Sequence, residues 1–249
     1  MVFLSLAIAA VVLGYTYGIS VWYFVLIGAA YVAVLAYGSA RVSSQMFIPI
    51  LCHGSEGSKS ISLTFDDGPI AGKTERILSI LKERGAQAAF FCIGSRIEAN
   101  PDLARRIKME GHIIGNHTFS HASTFDLLSS KKMMKELQRT DQAAEGILSS
   151  RPRFFRPPYG VTNPMLARAV RQLNYVTVGW TVRSFDTITD DRNKLLTRVT
   201  RGLKGGDIVL FHDYCESTID ILPAFLDIVG SKGLNVVRLD QLIGEQPYV

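Results

Sequence analysis

The first forty residues carry no charged side chain; Arg41 is the first cation and Glu56 the first acid. That absence is foreign to a soluble N-terminus and fits a membrane piece joined to a globular one. Cysteine is scarce. Cys52, Cys92 and Cys215 are an odd number without a CxxC pair, which excludes a disulfide framework and a cysteine-built zinc site. Internal repeats and low-complexity tracts are missing, and no surface stripe or heptad marks a protein partner. At 47% hydrophobic and 20% charged the chain is not disordered. Its net charge of +5 is too mild to warrant a nucleic-acid partner. Residues 56–249 hold all 22 acids and 26 of the 27 Lys and Arg, an ordinary soluble balance.

Forty uncharged residues as one helix would be about 60 Å long, twice a bilayer core. The run is interrupted at Gly14-Tyr15-Thr16-Tyr17-Gly18, a pair of tyrosines between glycines, as in an interfacial turn. The reading is a transmembrane hairpin with spans over about residues 2–14 and 20–37, in contact with the lipid bilayer. A cleaved signal peptide is the alternative, with Gly38-Ser39-Ala40 as its cleavage site. The missing basic start and the length of the run oppose it. Arg41 alone does not fix sidedness. The expected organisation is an anchor over 1–40, a linker over 41–57 and a globular domain over 58–249.

The globular piece alternates strand and helix. Strand patterns occupy 60–65, 87–93, 112–115, 154–156, 175–180, 207–211 and 235–239. Helical patterns lie between them: 74–84 with Gly85 beyond its end, a segment after Asn100-Pro101, 130–148, a segment after Asn163-Pro164, 190–201 and 217–229. Seven strands alternating with helices predict a mostly parallel sheet closed or nearly closed into a barrel.

In such barrels, functional groups collect past the C-terminal ends of the strands. There stand Asp66-Asp67-Gly68-Pro69, Asn116-His117 with His121, Arg156-Pro157-Pro158-Tyr159-Gly160, Trp180 with Arg183 and Asp186, and His212-Asp213. His117 and His121 are four apart, which on a helical turn suits one divalent metal. A carboxylate would complete a His2Asp set with a position left open, the pattern of catalytic zinc. Adjacent aspartates on an extended strand point apart, so Asp66 and Asp67 can divide the roles of base and ligand. His53, His112 and Cys92 read as structural, Lys131-Lys132 as a solvated face, and Cys215 has no base to activate it.

These stretches resemble the five ordered motifs of the polysaccharide deacetylases, the NodB-homology or carbohydrate esterase 4 family: TFDDGP at 64–69, HTFSH at 117–121, RPPYG at 156–160, WTVRSFDT at 180–187 and LFH at 210–212. The resemblance covers about residues 58–243 and implies a distorted (β/α)7 barrel. It implies that Asp67, His117 and His121 bind one divalent ion, most often Zn2+. Asp66 would be the general base acting on metal-activated water, and Arg156 would keep Asp66 ionised. The backbone N–H of Tyr159 would help hold the oxyanion. His212, held by Asp186, would be the general acid, and Leu210 with Trp180 would line the pocket for the acyl methyl.

The fourth motif departs from the family pattern DxxDW. Arg183 stands at the first Asp position and Thr187 at the Trp position, while Asp186 keeps the second Asp. Arg183 is either a surface cation turned away or a contact for an anionic substrate group. The function expected is N-deacetylation of N-acylated amino sugars in a polysaccharide or a lipid-linked glycan. The alternatives are a hydrolase of small non-sugar amides and a non-catalytic membrane-anchored glycan-binding protein.

Overall fold

A computed structural model describes residues 12–55 and 57–249. The first expected span falls largely on residues 1–11, outside the described residues. Residues 12–17 are helical, and Gly18 ends them with φ +67°. The turn therefore lies at residues 18–20 rather than across the two tyrosines, because only Gly18 takes the left-handed conformation there. Helix α1 (Val21–Ala40) follows; Gly38 is its one buried residue. Twenty residues give about 30 Å of apolar helix, one bilayer core.

Among the described residues nine strands form one sheet: β1 (Ile50–Leu51), β2 (Ser60–Asp66), β3 (Ala88–Cys92), β4 (Ile113–Asn116), β5 (Phe154–Phe155), β6 (Val176–Val178), β7 (Val182–Arg183), β8 (Ile208–His212) and β9 (Asn235–Val236). Their order is β1-β6-β5-β4-β3-β2-β8-β7, with β9 on the lower end of β2. Every ladder is parallel, so all strand C-termini open on one side. The sheet curls into an incomplete barrel, as the alternating pattern predicts.

Helices cover its outer face: α2 (Thr74–Glu83), α3 (Gly94–Ala99), α4 (Pro101–Met109), α5 (Ser130–Leu148), α6 (Pro164–Gln172), α7 (Arg192–Thr200), α8 (Glu216–Ser231) and α9 (Leu239–Ile243). Asn163 and Asp191 cap α6 and α7 through their side chains, accepting from Leu166 and Lys194 N–H. The core between sheet and helices includes stacked Phe65, Phe90 and Phe211, with Phe65 centroids 5.1 and 5.9 Å from the other two. Three elements escape the sequence pattern. Helix α3 is one turn and a half. The stretch 175–180 is cut after Val178, and the chain re-enters the sheet as β7. The segment 235–239 is strand for two residues before Leu239 begins α9.

The stretch read as a linker is built into the barrel wall. β1 pairs with β6, and Val42, Ile48 and Ile50 are buried beside it. The end of α1 is tied to the open side of the barrel. Thr162 donates its N–H to the Ser39 carbonyl at 3.0 Å and its hydroxyl to the Gly38 carbonyl at 3.4 Å. Thr162 is two residues past the RPPYG turn, so the apolar helix is hydrogen-bonded to a loop of the cleft.

Candidate active site

Five strand ends bring their polar residues to one cleft of about 580 Å³. It is lined by Asp66, Asp67, His117, His121, Tyr159, Trp180, Leu210 and His212, the residues expected there. Arg156 and Asp186 stand behind it, both buried.

Asp66 ends β2, with its Cα in register with His212 of β8 and Phe91 of β3. Asp67 leaves the strand with φ +77°. That left-handed step changes the expected geometry: both carboxylates reach His117 instead of pointing apart, Asp67 Oδ1 at 3.5 Å and Asp66 Oδ2 at 3.9 Å from its Nε2. A non-glycine residue in this region is uncommon and held by its surroundings. The Asp67 N–H donates to the Phe91 carbonyl, and Arg96 donates to the Asp67 carbonyl. Gly68 follows because nothing larger fits. A Cβ there would fall on the Asp213 carboxylate, which is fully buried and accepts from Thr74 Oγ1. Gly68→Ala is expected to lower stability by about 1–3 kcal/mol, read as a fall in the thermal midpoint. An unchanged midpoint would mean that the turn yields freely.

The histidine pair is not on a helical turn. Residues 117–121 form a loop with Thr118 at φ +65° and His121 at φ +49°. Asn116 fixes the loop: its Oδ1 accepts from Thr118 N–H at 2.9 Å, and its amide donates to the Leu137 carbonyl and to Asp141. The two imidazoles come within 4.8 Å, centroid to centroid, and both Nε2 atoms face Asp67 Oδ1, at 3.5 and 3.3 Å.

His117 Nδ1 lies 2.7 Å from the Arg156 carbonyl, which can only accept, so Nδ1 carries the proton. Burial pushes this imidazole down to about 3, so it is neutral. Its Nε2 therefore points a bare lone pair at a carboxylate oxygen, and that buried oxygen, Asp67 Oδ1, has no hydrogen-bond partner among the described residues. Acceptors facing one another without a proton between them are the donor set for a cation. The three ligand atoms lie within 4.8 Å of one another.

Arg156 is fully buried. It donates to Asp66 Oδ1 at 2.7 Å, Thr64 Oγ1 at 2.8 Å, and the Val178 and Gly179 carbonyls, and its guanidinium stacks 4.1 Å from the Phe91 ring centroid. Burial pushes the Asp66 carboxyl above its ordinary range, and the Arg156 and His212 charges work against that rise. His212 donates from Nδ1 to Asp186 Oδ1 at 2.7 Å. Asp186 is held in turn by the Ser184 and Thr218 hydroxyls and the His212 N–H. Burial favours the neutral imidazole, but the Asp186 hydrogen bond and charge outweigh it and keep His212 above its usual value. Tyr159 sits at φ +59°, and its N–H donates to none of the described residues.

Sequence reasoning placed Asn116 and Asp213 at the strand ends and Thr64 and Ser184 inside the motifs but assigned none of them a role, and it missed Thr218 altogether; these residues are the scaffold behind the site. His112 is structural as read, since its Nδ1 accepts from Ala88 N–H inside the barrel wall. His53 packs against Gly206, and Lys131 and Lys132 are exposed.

The family pattern described as Polysaccharide deacetylase matches residues 53–178. The peptidoglycan-N-acetylglucosamine deacetylase PgdA of Listeria monocytogenes is 32% identical over 189 residues, 76% of this chain and 40% of that protein. The chain thus spans well under half of that relative's length. A peptidoglycan-N-acetylglucosamine deacetylase of Bacillus cereus is 32% identical over 190 residues, 74% of this chain and 88% of that protein. The peptidoglycan-N-acetylmuramic acid deacetylase PdaC of Bacillus subtilis is 33% identical over 184 residues, 74% of this chain and 38% of that protein. Its solved structure superposes with a TM-score of 0.70 at 31% identity, covering 76% of this chain and 91% of the solved one. The fold they share is the distorted (β/α)7 barrel. Motifs, fold and these likenesses agree, and the chain belongs to the polysaccharide deacetylase family.

Proposed function

We propose that this chain is a metal-dependent N-deacetylase of N-acylated amino sugars in a glycan, held at a bilayer by α1. One observation carries the reading: His117, neutral, and His121 both turn their Nε2 atoms onto Asp67 Oδ1, which has no hydrogen-bond partner among the described residues. A divalent ion, Zn2+ by its taste for mixed imidazole and carboxylate, would be held by those three residues. Bound there, it supplies Lewis acidity to a carbonyl oxygen and to water.

The chain's own residues do the rest. Asp66, oriented by Arg156 and with its affinity for protons raised by burial, accepts a proton from the attacking water. The free N–H of Tyr159 donates to the amide oxygen as negative charge develops on it. Trp180 and Leu210 wall the space for the acyl methyl. His212 delivers a proton to the leaving amine, which would otherwise depart as an unstable anion. The products are a free amino sugar and acetate. The hydrogen bonds from Thr162 to α1 keep this cleft close to the membrane end of the chain, within reach of glycan at a lipid surface or attached to lipid.

The test is acetate release from N-acetylglucosamine oligomers by the full chain in detergent, with and without a chelator. Release that the chelator abolishes and Zn2+ restores is expected. No release from protein carrying a full complement of metal would overturn the reading.

The acid role of His212 has a pH signature. Its raised pKa keeps it protonated above the ordinary histidine range, so kcat/KM falls only as pH rises through that value. In Asp186→Asn the largest opposition to burial is lost, leaving only the weaker pull of the Asp66 and Asp67 charges, and the pKa falls. The alkaline limb of the pH profile is expected to move to lower pH, with metal content unchanged. An unmoved limb would remove His212 as the acid.

A further inference from the structure

We propose that Arg183 forms an anion subsite in the cleft, selecting an N-acylated amino sugar that carries a carboxylate or a phosphate near its acyl group. The proposal rests on the deacetylase reading of the same site and names its substrate class.

Arg183 enters the site by way of β7, a strand that hydrophobic pattern does not reveal. Its Cα is in register with Leu210, two residues before His212 on the neighbouring strand. Val182 packs against the apolar layer beneath the helices. Strand alternation therefore turns Arg183 the other way, and it lines the cleft beside Thr187.

Its guanidinium lies 5.6 Å from the Trp180 ring centroid and 4.7 Å from that of Phe185. Arg198 lies over the same Phe185 ring at 5.1 Å and donates to the Ser184 carbonyl. Stacking holds an arginine by its faces and leaves the N–H edges to bind.

Those edges are unspent. Arg183 makes no ion pair and no side-chain hydrogen bond with the described residues. The other two arginines of the site differ: Arg156 spends four of its five N–H donors on Asp66, Thr64 and two carbonyls, and Arg96 donates to the Asp67 carbonyl. The cleft's two acids are also committed, Asp66 to Arg156 and Asp67 to the donor set it shares with the histidines. Arg183 thus puts a positive charge on this wall that pairs with no acid among the described residues, and Arg198 behind the same Phe185 ring adds to it. A planar fork of free N–H donors matches a carboxylate or a phosphate in bidentate fashion.

The experiment compares the full wild-type chain in detergent with Arg183→Ala and Arg183→Glu on three substrates. These are a neutral N-acetylglucosamine oligomer, an oligomer in which alternate N-acetylated sugars carry a lactyl ether carboxylate, and N-acetylglucosamine linked to a prenyl phosphate. The measured quantity is kcat/KM on each anionic substrate divided by kcat/KM on the neutral one. Arg183→Ala is expected to lower that ratio roughly ten- to a hundredfold, mainly through KM. Arg183→Glu is expected to lower it further, because it adds repulsion. The arm in which the ratio falls identifies carboxylate or phosphate as the group recognised. Ratios unchanged in both arms, in an active enzyme, overturn the subsite alone. A wild-type chain silent on all three substrates overturns the deacetylase reading and the subsite with it.

Discussion

Asp66→Asn should cost about 10²- to 10⁴-fold in turnover while leaving metal content at the wild-type level. The side chain that would accept the proton is removed, but Asp66 is not among the three residues that converge on the cation position. The substitution also tests the fold gently. Arg156 is fully buried, and breaking a buried ion pair by deleting one partner costs about 3–5 kcal/mol. Asparagine keeps an oxygen for Arg156 to donate to, so much of that cost is avoided. Asp66→Ala removes that acceptor and the counter-charge, leaving the buried guanidinium only Thr64 and two carbonyls, and should lower the thermal midpoint more. Metal analysis, acetate release and melting of both variants separate the chemical role from the structural one. Near-normal turnover in Asp66→Asn would remove Asp66 as the base.

His117→Ala should abolish metal binding and turnover together. The remaining ligands would be one carboxylate and one imidazole, and altering even the partner behind a ligand typically costs 10- to 100-fold in metal affinity. Loss of the ligand itself should exceed about a hundredfold. The fold should survive, because His117→Ala removes one side-chain hydrogen bond, to the Arg156 carbonyl, while the Asn116 bonds that set the loop remain. His121→Ala should have a similar effect on binding. Full metal occupancy in His117→Ala would refute the ligand set.

The barrel was legible because its apolar residues are periodic. Ser60–Asp66 alternates with an amphipathic helix at Thr74–Glu83, and this pairing recurs to the C-terminus. The motif residues were legible too, since parallel strands place their C-terminal ends side by side. What stayed hidden has common physical causes. Ile50–Leu51 and Val182–Arg183 are two-residue strands, too short for any period to register. The site's turns depend on positive φ at Asp67, Thr118, His121 and Tyr159. Only glycine announces that conformation in a sequence; at other residues the surrounding hydrogen bonds impose it. For the same reason HTFSH suggested a helical turn and is a loop. Arg183 illustrates a third limit. Sequence placed it near the cleft, but only the stacking on Trp180 and Phe185 shows where its guanidinium lies.

The most direct test of the central claim is turnover measured against metal occupancy. The full chain would be stripped with a chelator, reloaded with Zn2+ in steps, and assayed at each step for bound metal and for acetate released from N-acetylglucosamine oligomers. The account predicts one strongly bound ion per chain, activity rising in proportion to occupancy up to that equivalent, and neither in His117→Ala. Turnover that persists in metal-free protein, or a fully loaded chain that releases no acetate, would contradict it.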